Sequence, residues 1–282
     1  MMSDKFLKKC IRLLGVLAFW LAVWQLAAVT VNFPLLLPAP LSVGKTLLQM
    51  ASEVTFWKSV FLSLARVFAG MALGCILGCV LALLTWRCTW ADILISPAIR
   101  VIRATPVVSI ILLIYLWVTR TNIPSVISTL MVLPVIWDSI RTGLESTDVR
   151  LLEMAGAYRF GWFKRLRLIW LPSLRPSLNS GLSTGLGLAW KSGIAAEVIC
   201  PPRYAIGTEL SQAKTALQSP ELYAWTVVII ILSQMLDCVL RFLLRYRKRH
   251  SGKEHMFCLI NDRQEENSGD IRKQEKTDRD FY

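Results

Sequence analysis

Gly44, Lys45 and Thr46 have the residue types that close a phosphate-binding loop, in which backbone amides cradle phosphates and a lysine reaches the terminal ones. The spacing excludes that chemistry. The position five before Gly44 is Ala39 in place of glycine, Pro40 removes an amide donor, and no buried strand leads in. A histidine-centred triad is excluded as well, because the two histidines, His250 and His255, both stand in a charged C-terminal stretch. The carboxylates Asp138, Glu197 and Asp237 fall near the ends of different apolar runs and supply no acid and base pair. Cys75 and Cys79 are four apart on one helical face, but without His or carboxylate partners they read as small packing residues. No catalytic residue, metal or cofactor is expected. The residue placed to do work is Lys191, in the middle of a glycine-rich apolar run. A cation there costs about 3 kcal/mol against lipid, so it must face protein or water. Either it lines a pathway with Trp190 and Glu197 and attracts an anionic solute, or it forms a structural ion pair with Asp138 or Glu197.

The elements that would hold these residues are membrane helices. The chain has 282 residues, 54% of them hydrophobic and 18% charged, and a mean hydropathy of +0.49. A soluble core of this size would need far more polar surface, and a disordered chain far fewer apolar residues. The formal net charge of +13 would suit a nucleic-acid binder. Its bases, however, lie at the ends of apolar runs and in the tail, and no groove-reading motif accompanies them. Nucleic acid is therefore excluded as a partner.

Apolar runs at 11–31, 60–86, 107–118 (extended on its inner side by 93–102), 123–137, 178–199 and 223–244 predict an all-α polytopic membrane protein of about six transmembrane helices. The first run is read as a retained helix, being longer than a signal-peptide core and lacking a small-residue cleavage site. Arg66 is expected to snorkel to the interface. Gly70, Gly74 and Gly78 form one stripe for close helix packing, as do Gly181, Gly185 and Gly193 with Ala189. Pro134 predicts a kink in the fourth run. The basic segment 141–175 belongs in the cytoplasm by the positive-inside rule, which also places both termini there. Residues 1–10 are then a cytoplasmic N-terminus, 11–249 the transmembrane domain, and 250–282 a charged disordered tail that could meet a partner or lipid headgroups. Residues 37–40 lead into an amphipathic helix on the outer surface, its apolar side including Val43, Leu47, Leu48 and Met50.

Segment 141–175 is the informative one. It runs Glu153-Met154-Ala155-Gly156-Ala157-Tyr158-Arg159-Phe160-Gly161-Trp162-Phe163 and closes on Ile169-Trp170-Leu171-Pro172. Tyr158, Phe160, Trp162 and Phe163 are more aromatic surface than a solvated linker carries, and such residues mark protein interfaces.

On these residues the chain resembles the membrane-spanning subunits of bacterial binding-protein-dependent ABC importers, of the type I architecture. Glu153 and Ala155 match that family's Glu-Ala-Ala, and Ile169, Leu171 and Pro172 fall at the expected distance. Met154 replaces the first alanine, and Arg159 stands where the family has glycine. Either Gly161 takes over the turn or the geometry changes, because arginine disfavours positive φ. Leu37-Pro38-Ala39-Pro40, Ser63-Leu64-Ala65-Arg66, Arg103-Ala104-Thr105-Pro106, Gly187-Leu188-Ala189-Trp190 and Ala195-Ala196-Glu197 resemble the nitrate, sulfonate and taurine type, so that the likeness spans about 35–244. The resemblance implies a coupling loop resting in a groove of a separate ATPase subunit, which alone binds ATP. It further implies a second permease subunit, as a homodimer, an extracytoplasmic solute-binding protein, and a place in the bacterial plasma membrane. A membrane-embedded assembly protein without transport is the competing class, and a secondary transporter is disfavoured by the lack of an inverted repeat.

Overall fold

The computed structural model describes residues 2–244, with side chains from Gly15 onward except at residue 17. The expected disordered tail at 250–282 lies outside the described residues. The chain divides into two compact units, Met1–Met235 and Leu236–Tyr282. Of the second, residues 236–244 are described; they are helical, with Arg241 facing Asp237 at 3.9 Å.

All the described elements are helical. They are α1 (Met2–Val31), α2 (Pro40–Ala51), α3 (Val54–Arg87), α4 (Thr89–Ala104), α5 (Val107–Ile114), α6 (Ile123–Glu145), α7 (Val149–Ala157), α8 (Trp162–Arg165), α9 (Leu171–Ile199), α10 (Ile206–Thr215) and α11 (Ser219–Leu244). A π-helical turn, Leu166–Trp170, joins α8 to α9.

Helices α3, α6 and α9 form the core. At 34 residues α3 is about 50 Å long. Its buried line Val67, Gly70, Gly74, Gly78, Ala82, Thr85 repeats every three or four residues, as one helical face must. A methyl group added to Gly74 would sit 2.9 Å from the Thr129 carbonyl oxygen, and one added to Gly78 would sit 2.9 Å from that of Leu133. The two backbones are therefore nearly in contact, and only glycine leaves room. Hydroxyls of α6 use that proximity. Ser125 donates to the Arg66 carbonyl at 2.9 Å and Thr129 to that of Gly70 at 3.0 Å, while Ser128 turns to the Ala189 carbonyl of α9 at 3.1 Å. On α9, Gly181 faces Ser139, Gly185 lies against Val132, and Gly193 meets both Val67 and Ser128.

Among the described residues three helices are long and apolar enough to cross a membrane: α3, α6 and α11. Counting α4 and α5 as one broken span raises this to four, short of the six expected. The shortfall has physical causes. Helix α9 carries Arg175, Lys191 and Glu197 among many serines and glycines, and the apolar part of α1 within the described side chains is short, Ala18–Val31. Residues 93–118, read as one extended span, are instead two helices bent by 105°. Thr105 is extended, as a residue before proline is pressed to be, and Pro106 supplies no amide to continue the ladder. Helix α6 runs through the buried Pro134 and on to Glu145, so it continues into the first residues of the basic segment. On α2, Val43 is buried and Leu48 exposed.

Candidate functional site

Two sites rest on α3, about 30 Å apart along its axis. The first lies past its C-terminal end. Asp148 caps α7 by accepting from the Arg150 amide at 2.9 Å, satisfying one orphan N–H. Helix α7 then ends in a Schellman motif: the Phe160 amide donates to the Ala155 carbonyl at 2.9 Å and the Arg159 amide to that of Gly156 at 3.0 Å. That motif needs a left-handed residue, and it is Arg159, with φ 49°. Gly161 has φ −63° and ψ 159° and starts α8. The arginine thus makes the turn itself, and Gly161 has not taken it over.

A side chain at positive φ stores strain that glycine does not. Arg159→Gly is expected to stabilise the protein by about 1 kcal/mol, measured by denaturant unfolding in detergent. Gly161→Ala is expected to change little, since nothing lies within 4 Å of the added carbon.

The loop hangs on three buried residues, Ala155, Ile169 and Trp170. From this base Tyr158 (72% exposed), Trp162 (53%) and Phe163 (76%) project outward with Met154 and Leu171, while Phe160 is half-buried. Glu153 and Pro172 are also exposed. Phe160, Phe163, Lys164, Arg167 and Leu168 line an open cleft of about 460 Å³. Aromatic surface of this extent on a few turns of helix is what a protein partner covers.

The second site lies near the N-terminal end of α3. Glu197 is fully buried. Its carboxylate accepts from the Ser63 hydroxyl at 2.7 Å, from the Gly207 amide at 3.2 Å and from Arg66 at 3.5 Å. Arg66 also donates to the carbonyls of Tyr204 and Arg203, both at 3.1 Å, and the Ser63 hydroxyl accepts from the Ile206 amide at 2.9 Å. The network ties α3, α9 and the start of α10 together. Beside it, burial lifts the Glu209 carboxyl above its ordinary range, opposed by a hydrogen bond from Ser59.

These contacts correct two expectations. Arg66 does not snorkel, its side chain being only 11% exposed. Lys191 pairs with neither proposed carboxylate: Glu197 is held by Arg66, and Asp138 by Arg103 at 3.3 Å. The trio Trp190, Lys191 and Glu197 separates, because Trp190 and Glu197 point into the core while Lys191 is exposed and has no ion-pair partner among the described residues. The Arg66 contact had a signal in the sequence: Ser63 and Arg66 are three apart, on one face of α3, and Glu197 was the apolar run's one carboxylate.

A family model described as "binding-protein-dependent transport system inner membrane component" matches residues 70–249. The taurine transport system permease protein TauC of Escherichia coli (strain K12) is 26% identical over 246 residues, covering 82% of this chain and 86% of that one. A protein of the same organism named as an aliphatic sulfonates transport permease, SsuC, is 28% identical over 238 residues, with 83% and 90% covered. The fold is shared with an inward-facing structure of the MetNI methionine ABC transporter, at a TM-score of 0.59 and 15% identity, over 68% of this chain and 95% of that one. It is shared also with an amino acid ABC transporter solved with histidines, at a TM-score of 0.54 and 16% identity, over 70% and 93%.

Proposed function

The chain belongs to the family of binding-protein-dependent transport system inner membrane components, and on that premise we propose how its two sites serve an importer. It is a multi-pass, non-catalytic permease subunit of an ABC importer that moves a small solute. In our reading α1, α3, α4 with α5, α6, α9 and α11 make six crossings with both termini in the cytoplasm. The α7–α8 loop then docks on a separate ATPase subunit, which binds the ATP. A second copy of the chain faces the first, and an extracytoplasmic binding protein delivers an anionic solute of the sulfonate and taurine class.

The observation that carries the docking reading is the exposed row Met154, Tyr158, Trp162 and Phe163, borne on a base of buried residues. A rigid base matters because a nucleotide-driven movement can shift the helices only through a contact that survives the movement. Glu153→Ala is expected to weaken association with the ATPase subunit about ten-fold, read by co-purification and a binding titration. Unchanged association and transport would remove the assignment.

The charge of Lys191 supports the substrate reading. Exposed on α9, a cation is stable facing water or a neighbouring subunit and costly facing lipid. Trp190 stands beside it in sequence but is buried, so the pathway in our reading runs past Lys191 alone. Lys191→Gln is expected to raise the KM for taurine or an alkanesulfonate about ten-fold while the assembled complex and its ATP hydrolysis persist. Loss of assembly would contradict that role.

A further inference from the structure

The loop of the first site is joined to the core by a chain of rings. Trp170, only 8% exposed, lies edge-on between two other indoles. Its ring centroid is 4.9 Å from that of Trp162, on α8, at an interplanar angle of 67°, and 4.9 Å from that of Trp86, near the end of α3, at 81°. Arg87, the last residue of α3, places its guanidinium 5.7 Å from the Trp162 ring centre and closes the group from above. Edge-to-face is a preferred arrangement at this separation, because the positive ring edge of one member sits on the negative face of the next.

The π-helical turn makes this arrangement. The Leu171 amide donates to the Leu166 carbonyl, five residues back, which widens the helix by one residue immediately before α9. Ile169 and Trp170, which are neighbours in sequence, are both buried as a result. Trp86 in turn belongs to α3, whose glycine row is in near contact with α6. A displacement of α8 thus meets stiff aromatic packing at Trp170 and Trp86, and beyond them a helix pair with no slack.

We propose that the Trp162–Trp170–Trp86 stack, closed by Arg87, is the linkage that carries movement of the docking loop into α3. This rests on the reading of that loop as the ATPase dock. The three tryptophans are then positioning residues. Truncating the middle one should leave the partner bound while the core no longer follows it.

The test is hydrogen exchange on the full permease with its co-purified ATPase subunit in lipid nanodiscs, comparing the nucleotide-free state with the vanadate-trapped state. In the wild type, exchange is expected to change on trapping both in the loop, 149–165, and at the end of α3, 79–87. In Trp170→Ala the change in the loop is expected to remain and that in α3 to fall about five-fold or more, with Trp170→Phe restoring it. Trp86→Ala, which removes the α3 ring but keeps Ala155, Ile169 and Trp170 themselves, should reproduce the effect if Trp170→Ala does not assemble. An undiminished response of α3 in either alanine variant, with the loop still responding, overturns the linkage and leaves the dock standing. A wild-type loop that does not respond to trapping removes the dock and the linkage with it.

Discussion

Arg66→Met is expected to lower the unfolding free energy by about 3–5 kcal/mol, the cost of stranding one member of a buried ion pair. Glu197 is fully buried and keeps only the Ser63 hydroxyl and the Gly207 amide once the guanidinium is gone. The carbonyls of Arg203 and Tyr204 lose their donor in the same step. Tyr204 is itself at positive φ, 53°, so the loop entering α10 is held in a strained form by the group that would be removed. Denaturant unfolding in mild detergent, followed by circular dichroism, reads the loss. The double variant Arg66→Met with Glu197→Gln should cost less than the sum of the two single changes, because a neutral amide has no uncompensated charge. Strict additivity would mean that the pair contributes nothing as a pair.

Gly74→Leu is expected to be at least as damaging, about 3 kcal/mol or more, or to prevent recovery of folded protein. The added Cβ would stand 2.9 Å from the Thr129 carbonyl oxygen and 2.8 Å from the Val132 Cβ. Neither is the free end of a flexible side chain, so α3 and α6 must part. Parting them also breaks the hydrogen bonds from Ser125 and Thr129 to the carbonyls of α3. Gly44→Ala is the matched control. It lies in α2 with nothing within 4 Å of an added carbon, so helix propensity alone acts, and a gain of up to about 1 kcal/mol is expected. Equal stability of Gly74→Leu and wild type would refute the close approach of the two backbones.

The glycines at 70, 74 and 78 were legible in the sequence because a four-residue repeat of the smallest residue has few meanings on a membrane helix. What they pack against was not, since that is decided by which backbone comes nearest, and the helical spacing of Ser125, Ser128 and Thr129 marks a face without naming its partner. The loop at 149–165 was legible through Glu153, its aromatic residues and the Ile169 to Pro172 ending. For its turn two possibilities stood, Gly161 or an altered geometry, and the Schellman bonds from Arg159 and Phe160 hold an arginine at positive φ. Local preference of about a kilocalorie yields to a helix end fixed by its neighbours. Arg66 was read as a surface residue because snorkelling is what an isolated arginine does. Its partner stands 131 residues away, and the face shared with Ser63 marks a contact without naming the carboxylate it meets. The bend between α4 and α5 was marked by Pro106, but hydropathy, which ignores direction, joined the two into one span. The pairing of Trp86 with Trp170 was invisible for a related reason: Trp86 is 39% exposed and Trp170 buried, and nothing in their spacing brings the two rings together.

Photo-crosslinking from position 158 in intact cells tests the central claim most directly, because Tyr158 is 72% exposed and only three residues past the buried Ala155. With a photoreactive amino acid in place of Tyr158, the account predicts one major adduct, joining this chain to a nucleotide-binding subunit identified by mass spectrometry. Adducts confined to lipid or to proteins outside the cytoplasm would contradict it.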